Sequence, residues 1–281
     1  MSDFPSDQDR LTTLGDVDSS ATRSIEAMLH DGTLGSAWHA EQTSSTNSIA
    51  LQAIREPGLA PPITPRLFLA DLQTAGRGRH GRTWQSDCSS MTLSILLPWE
   101  PGTNPQSRLI PLAVGVGIAR VIEFELAPVK VSLKWPNDVR CAGGKLAGVL
   151  LEASASLDFV VIGVGLNIET APDLSLQSGA QPTTSVAKIA GRRISRYDLL
   201  QPIVAGILDT IGMLADDSVT VVDEFRSRCV LSGKSISFDD GGQRSIGQCV
   251  GIDSDGSLLV EVNGELRRIQ SGEARLLRIQ N

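Results

Sequence analysis

Two near-continuous apolar runs, Lys145–Glu152 and Phe159–Asn167, constrain this chain more than any other feature. They are apolar at consecutive positions rather than alternate ones, the pattern of strands in the middle of a sheet with both faces buried. Strands are also expected near Trp38–Gln42, Leu67–Ala70, Met91–Leu97 and Val131–Trp135. Helical spacing runs through 110–125, where Ile110, Val114, Ile118, Val121 and Ile122 recur every three or four positions. A second helix follows a capping-box pattern, Ser195-x-x-Asp198, and carries Leu199, Ile203, Ile207, Ile211 and Leu214 on one face. Shorter helices are expected over 20–31, over 45–55 (with Ser44, Ser45 and Thr46 as cap hydroxyls) and over 221–229. From Gly233 the pattern changes to short strands divided by Asp239-Asp240-Gly241-Gly242, Asp253-Ser254-Asp255-Gly256 and Asn263-Gly264. Asn-Gly between apolar runs is a strong hairpin signal, so residues 230–281 predict a small β-barrel of about five strands.

A length of 281 residues is room for about two domains. With 32 acidic and 25 basic residues the net charge is −7, so any anion site must be a local basic island and nucleic acid is no expected partner. Cys88, Cys141, Cys229 and Cys249 form no C-x-x-C pair, and His30, His39 and His80 do not cluster with them. A Cys/His metal site is therefore not expected, and free thiols fit a reducing cytoplasm. The acidic N-terminus has no apolar core of a signal peptide, and no run reaches the roughly 20 apolar residues of a membrane span. Residues 1–19 hold five Asp and one Arg and are expected to be a disordered tail within an N-terminal extension, partly disordered, over 1–35. That extension is too short for a DNA-binding module with its own core, which takes about 55 residues.

Three motifs can carry chemistry. Gly76-Arg77-Gly78-Arg79-His80-Gly81-Arg82 fits G-x-G-x-x-G, but no helix pattern follows it, as a dinucleotide fingerprint requires. It carries Arg77, Arg79 and Arg82 instead, whose planar forks suit phosphate and carboxylate. It reads either as a mobile loop that closes over an anion or as a solvated basic surface loop. Lys134-Trp135-Pro136-Asn137-Asp138, followed by Gly143-Gly144-Lys145-Leu146-Ala147-Gly148, brings two lysines and a carboxylate to a hairpin end. Lys134 and Lys145 can stabilise charge developing on a phosphate or carboxyl oxygen, and Asp138 can hold Mg²⁺ or orient an amine. An ordinary surface pair between Lys134 and Asp138 is the alternative. Gly163-Val164-Gly165-Leu166-Asn167 ends an apolar strand with small residues that admit a ligand to the backbone, and Asn167 offers a donor and an acceptor to an adenine edge. A simple strand-ending turn would look the same. Trp84 either stacks on a base or packs in the core.

In content, order and spacing these pieces, with Ser45-Thr46-Asn47 and Gln73-Thr74-Ala75 before them and Val149-Leu150-Leu151-Glu152 after Gly148, resemble the biotin–protein ligases. The resemblance covers about residues 36–230, and the β-rich tail is similar to the family's SH3-like C-terminal domain. His80 stands where an arginine is frequent. The resemblance implies an α+β fold of the class II synthetase and biotin ligase type: a mixed, mainly antiparallel sheet with flanking helices over 36–229, then the barrel over 230–281. It implies the shorter members that only catalyse, since a DNA-binding domain finds no room.

By the same resemblance Ser45, Thr46 and Gln73 bind the ureido head of biotin, Gly76 and Arg77 also bind biotin, and Gly148 and Gly163 shape the slot for its rings and tail. Arg77, Arg79 and Arg82 contact phosphates or order the loop, Trp84 flanks adenine and Asn167 bonds its edge. Lys145 contacts both the biotin carboxylate and the α-phosphate, with Arg77, Lys134 and Asp138 assisting. The implied activity is an ATP- and Mg²⁺-dependent biotin–[biotin carboxyl carrier protein] ligase that forms biotinyl-5′-AMP and transfers biotin to a lysine on the carrier domain of an acyl-CoA or pyruvate carboxylase. Alternatives are a lipoate or octanoate ligase, which lacks the full Arg-loop and Lys-Trp-Pro-Asn-Asp pair, a biotin-responsive regulator, and a binding protein that kept the fold without catalysis.

Overall fold

The computed structural model describes residues 10–55, 63–99, 108–153, 158–174, 181–240 and 243–277. The strands are β1 (Leu11–Leu14), β2 (Ser36–Thr43), β3 (Arg66–Gln73), β4 (Ser90–Pro98), β5 (Ser132–Lys134), β6 (Asp138–Cys141), β7 (Gly144–Ala153) and β8 (Phe159–Asn167), then β9 (Ser235–Asp240), β10 (Gln243–Ile252), β11 (Leu258–Val262), β12 (Glu265–Ile269) and β13 (Ala274–Leu276). The helices are α1 (Ser19–His30), α2 (Thr46–Ala53), α3 (Ile110–Glu125), α4 (Val186–Ala190), α5 (Leu200–Asp216) and α6 (Ser218–Arg228). The chain divides into two compact units, 1–103 with 142–205, and 104–141 with 206–281. Among the described residues no helix is long and apolar enough to cross a membrane.

In the first unit six strands pair in the order β1-β2-β3-β4-β8-β7. The β1–β2 and β2–β3 pairings are parallel, each with a helix between its strands, and β3–β4, β4–β8 and β8–β7 are antiparallel. This is the mixed, mainly antiparallel sheet with flanking helices that the resemblance implies. The apolar run Phe159–Asn167 is an interior strand between β4 and β7, buried at every position after Phe159. Helix α2 seats Ala50 and Leu51 on Trp38, Phe68, Leu96 and Val161 of β2, β3, β4 and β8. Burying an aliphatic side chain is worth about 1.5–3 kcal/mol, so this seat fixes where the N-terminus of α2 points.

Part of the expected disordered tail, residues 1–9, lies outside the described residues, but from Arg10 onward the expectation is corrected. The Arg10 guanidinium donates to the carbonyls of Gly35, Leu34 and Leu29 at 2.6, 2.6 and 3.1 Å. Leu11–Leu14 then pairs with β2 as the sheet's parallel edge. Asp18 caps α1 by accepting from Ser20 N at 2.7 Å, and Ala21, Ile25, Met28 and Leu29 are buried. One arginine satisfying three carbonyls outweighs the acidic composition.

In the second unit β5 and β6 form an antiparallel hairpin, and β12-β11-β10-β9-β13 form a five-stranded antiparallel sheet. The Asn263-Gly264 turn joins β11 to β12, with both residues at positive φ, as a tight hairpin demands. Helix α3, apolar on nearly every face, buries ten residues and approaches α5 closely: a Cβ on Gly117 would lie 2.5 Å from Gly206 O.

Candidate active site

Every sequence-assigned residue except Lys134 and Asp138 lies in the first unit, on β3, α2, β7, β8 and the loop 76–84. Ser45, in extended backbone, precedes α2, and Ser45, Thr46 and Asn47 are all buried. The Thr46 amide donates to Gln73 Oε1 at 2.7 Å, and its hydroxyl lies 3.1 Å from the same oxygen. The end of β3 thus meets the start of α2. Pairing continues beyond the strands, from Thr74 N to Thr43 O and from Ala75 N to Ser44 O, both 2.9 Å, and this delivers Gly76 beside the segment that leads into α2.

The arginine loop leaves Gly76 as a short two-stranded ladder. Trp84 N donates to Gly76 O at 2.9 Å, Arg77 pairs with Thr83, and Gly78 N donates to Arg82 O at 2.7 Å. Its tip holds His80 and Gly81 at φ 55° and 72°. Glycine is needed at its root, where a Cβ on Gly76 would lie 2.5 Å from Trp84 O and 3.3 Å from Gln73 Nε2. Gln73 at the end of β3 and Trp84 at the end of the loop therefore meet at Gly76.

The ladder places the Trp84 indole on the floor made by β7 and β8. Gly148 and Gly165 are register partners there. A Cβ on Gly165 would lie 2.2 Å from Trp84 Cε2; one on Gly148 would lie 3.3 Å from Trp84 Cζ3 and 3.1 Å from Lys145 Nζ. Two missing side chains make a trough, and the indole lies in it. Lys145 Nζ stands 5.7 Å from the indole centroid, a cation–π distance.

Two polar atoms beside this floor are buried without hydrogen-bond partners: Trp84 Nε1 and Asn167 Oδ1. Asn167 Nδ2 is committed to Thr184 O at 3.1 Å and Lys145 O at 3.4 Å. Of the donor and acceptor expected at Asn167, only the acceptor remains open. Buried polar atoms are nearly always paired, so an open acceptor and an open donor suit a group that brings both.

At Gly163, two positions before Gly165 on the same face of β8, the neighbouring atoms are those of Asn47 rather than the indole. A Cβ there would lie 2.2 Å from Asn47 Oδ1, so its missing side chain makes room for the Asn47 carboxamide. Asn47 Nδ2 donates to Glu152 Oε2 at 2.9 Å, and Ser94 Oγ donates to Asn47 Oδ1 at 2.5 Å while lying 2.7 Å from the Thr46 hydroxyl. Arg77 Nη2 reaches Glu152 Oε1 at 2.5 Å. Asn47, Ser94 and Glu152 thus join the site, though sequence assigns them no role, and Gly165, which sequence marks only as a small residue of its motif, forms the floor under Trp84. Asn47, Glu152 and Gly165 sit inside the quoted motifs, the one signal that could have found them, whereas Ser94 lies mid-strand in β4 and no motif marks it.

Behind the pocket on β3, Asp71 is held from several elements. His39 Nε2 donates to its Oδ1 at 2.8 Å, the Tyr197 hydroxyl donates to the same oxygen, Asp18 N donates to Oδ2 at 3.1 Å, and Arg196 lies 3.4 Å away. Burial pushes the Asp71 carboxyl up, but the hydrogen bonds from His39 and Tyr197 outweigh it and hold the group below the usual carboxylate range. Burial and that carboxylate push the Tyr197 hydroxyl far up.

Lys134 and Asp138 are opposed across the β5–β6 hairpin in the second unit, Nζ to Oδ2 3.9 Å, with Lys134 4% exposed. That burial sets the pair apart from an ordinary surface pair.

Comparison with known proteins points to one family. The model of the biotin/lipoate A/B protein ligase family matches residues 39–167, and that of the biotin protein ligase C terminal domain matches residues 231–277. The biotin–[acetyl-CoA-carboxylase] ligase of Paracoccus denitrificans is 32% identical over 231 residues, 78% of this chain and 91% of that protein. That of Mycobacterium tuberculosis is 29% identical over 252 residues, 87% of this chain and 91% of that protein. Among solved structures, a biotin protein ligase from Aquifex aeolicus in complex with biotin and ATP superposes with TM-score 0.71 at 26% identity, covering 86% of this chain and 99% of that one.

Proposed function

The chain belongs to the biotin–protein ligases, and from that premise we propose how its own residues carry the reaction. The biotin carboxylate attacks the α-phosphate of ATP, giving biotinyl-5′-AMP and pyrophosphate. The amine of a carrier lysine then attacks the carbonyl of the mixed anhydride, forming the amide and releasing AMP. The observation that carries this reading is Lys145 standing over the Gly148–Gly165 trough beside Trp84 and Asn167. A carboxylate and a phosphate repel each other. A fixed ammonium between them stabilises the charge that grows as they approach.

Ser45, Thr46 and Gln73 take the ureido head, a group with both donors and an acceptor, and Gly76 lies against biotin. Trp84 flanks adenine, whose exocyclic amine suits the open Asn167 Oδ1. Arg77, Arg79 and Arg82 neutralise phosphate, and the loop that carries them shields the anhydride from water. Lys134 and Asp138 are assigned by motif. No group of three His, Cys, Asp or Glu side chains that could hold a metal ion exists among the described residues. Mg²⁺ bound with the ATP phosphates would screen their charge, and Asp138 is the carboxylate we assign to it by motif. The acceptor is the carrier domain of an acyl-CoA or pyruvate carboxylase. The spans of the two family models support a division into a catalytic domain over 36–229 and a C-terminal domain over 230–281. The free thiols suit a reducing cytoplasm.

Exchange of labelled pyrophosphate into ATP tests the first step. Exchange that requires biotin supports the reading; exchange driven by lipoate or octanoate and indifferent to biotin overturns it.

A further inference from the structure

We propose that Glu152 is a positioning residue for Arg77, held in place by Asn47; the inference rests on the ligase reading of the site. Ser94, on the central strand β4, donates to Asn47 Oδ1. Asn47 Nδ2 donates to Glu152 Oε2 at 2.9 Å and lies 3.4 Å from Leu150 O. Glu152 Oε1 takes the Arg77 guanidinium at 2.5 Å, and Arg77 Nη1 reaches Ser48 Oγ at 3.3 Å. One carboxylate thus spends one oxygen on the core and the other on the loop.

The anchoring half of this chain is rigid. Asn47 is 3% exposed, its carboxamide fills the space left by Gly163, and it stands next to Thr46 of the pocket. The loop half is not: the Arg77 side chain is 46% exposed, against 19% for Glu152. A long cation on a glycine-rich loop samples many rotamers unless something fixes it. Glu152 is the fixed partner, and it is fixed because a buried amide with both ends committed cannot turn.

The test is a double-mutant cycle on biotin-dependent pyrophosphate exchange, using the full chain as parent, Glu152→Gln, Arg77→Ala and both together. Glu152→Gln keeps an acceptor for Asn47 and removes the charge that holds Arg77. Loss of such a charge-assisted contact lowers the exchange kcat at least about tenfold. The KM for biotin stays within about twofold, because the pocket is intact. Added to Arg77→Ala, the same substitution costs nothing further. A second readout is tryptic cleavage after Arg77 in the ligand-free protein, which Glu152→Gln accelerates. Parental kcat in Glu152→Gln, losses that multiply, or unchanged cleavage each overturn the proposal. Failure of the ligase reading is seen elsewhere, as a parent without biotin-dependent exchange.

Discussion

At the scale of single residues, Lys145 and Gly165 carry the sharpest consequences. Lys145→Ala removes the ammonium from beside the indole and should lower biotin-dependent pyrophosphate exchange by about 10²-fold or more, as losing a group at a developing charge does. Exchange near the parental rate would remove Lys145 from the chemistry. Gly165→Ala puts a carbon 2.2 Å from Trp84 Cε2, on a central strand that cannot yield. The indole must leave the trough, a displacement worth about 1–3 kcal/mol. The KM for ATP should rise roughly tenfold while that for biotin changes less, and steady-state kinetics would detect an unchanged ATP KM as the contrary result. Sequence singles out Lys145, Arg77 and Asn167 because each sits in a motif whose residue types suit anions or a base edge. The loss of Asn167's donor to Thr184 O was not, since it depends on a residue 17 positions away. Nor was Gly163's service to Asn47, which arises only when α2 is laid across β8.

At the scale of elements, periodicity located most helices and strands, and 110–125 and 159–167 coincide with α3 and β8. The elements it did not show are short: β6 has four residues and α4 has five, too few for a period to register. Strand β1 escaped because its partner and its arginine anchor lie far along the chain. The loop 76–84 is a ladder rather than a bare coil, and Arg79→Gly should loosen its tip so that adenylate escapes before transfer. Rapid filtration would then retain less labelled intermediate on the variant; equal retention would refute a shielding role. The Asp71 cluster joins α1, β2, β3 and the segment before α5. Its carboxyl is held below the usual range, so its stabilisation is complete above the unfolded carboxylate pKa and is lost as pH falls through the folded value. Asp71→Asn should cost about 1–3 kcal/mol at neutral pH and flatten this acid limb in melts between about pH 7 and 3. Parallel curves for parent and variant would contradict the assignment.

At the scale of the whole molecule, the sequence shows a change of character at Gly233 that becomes the five-stranded antiparallel sheet. It does not show that 104–141 belongs to the same compact unit as 206–281, since the close approach of α3 to α5 through Gly117 and Gly206 links residues nearly ninety positions apart. Function at this scale is transfer to another protein, which no single substitution reports. The most direct measurement is incorporation of labelled biotin into a purified biotin carboxyl carrier domain, with and without ATP and Mg²⁺. Labelling at one lysine that depends on ATP is the predicted result. No labelling by biotin, with lipoate or octanoate transferred in its place or with no acid transferred at all, would contradict it.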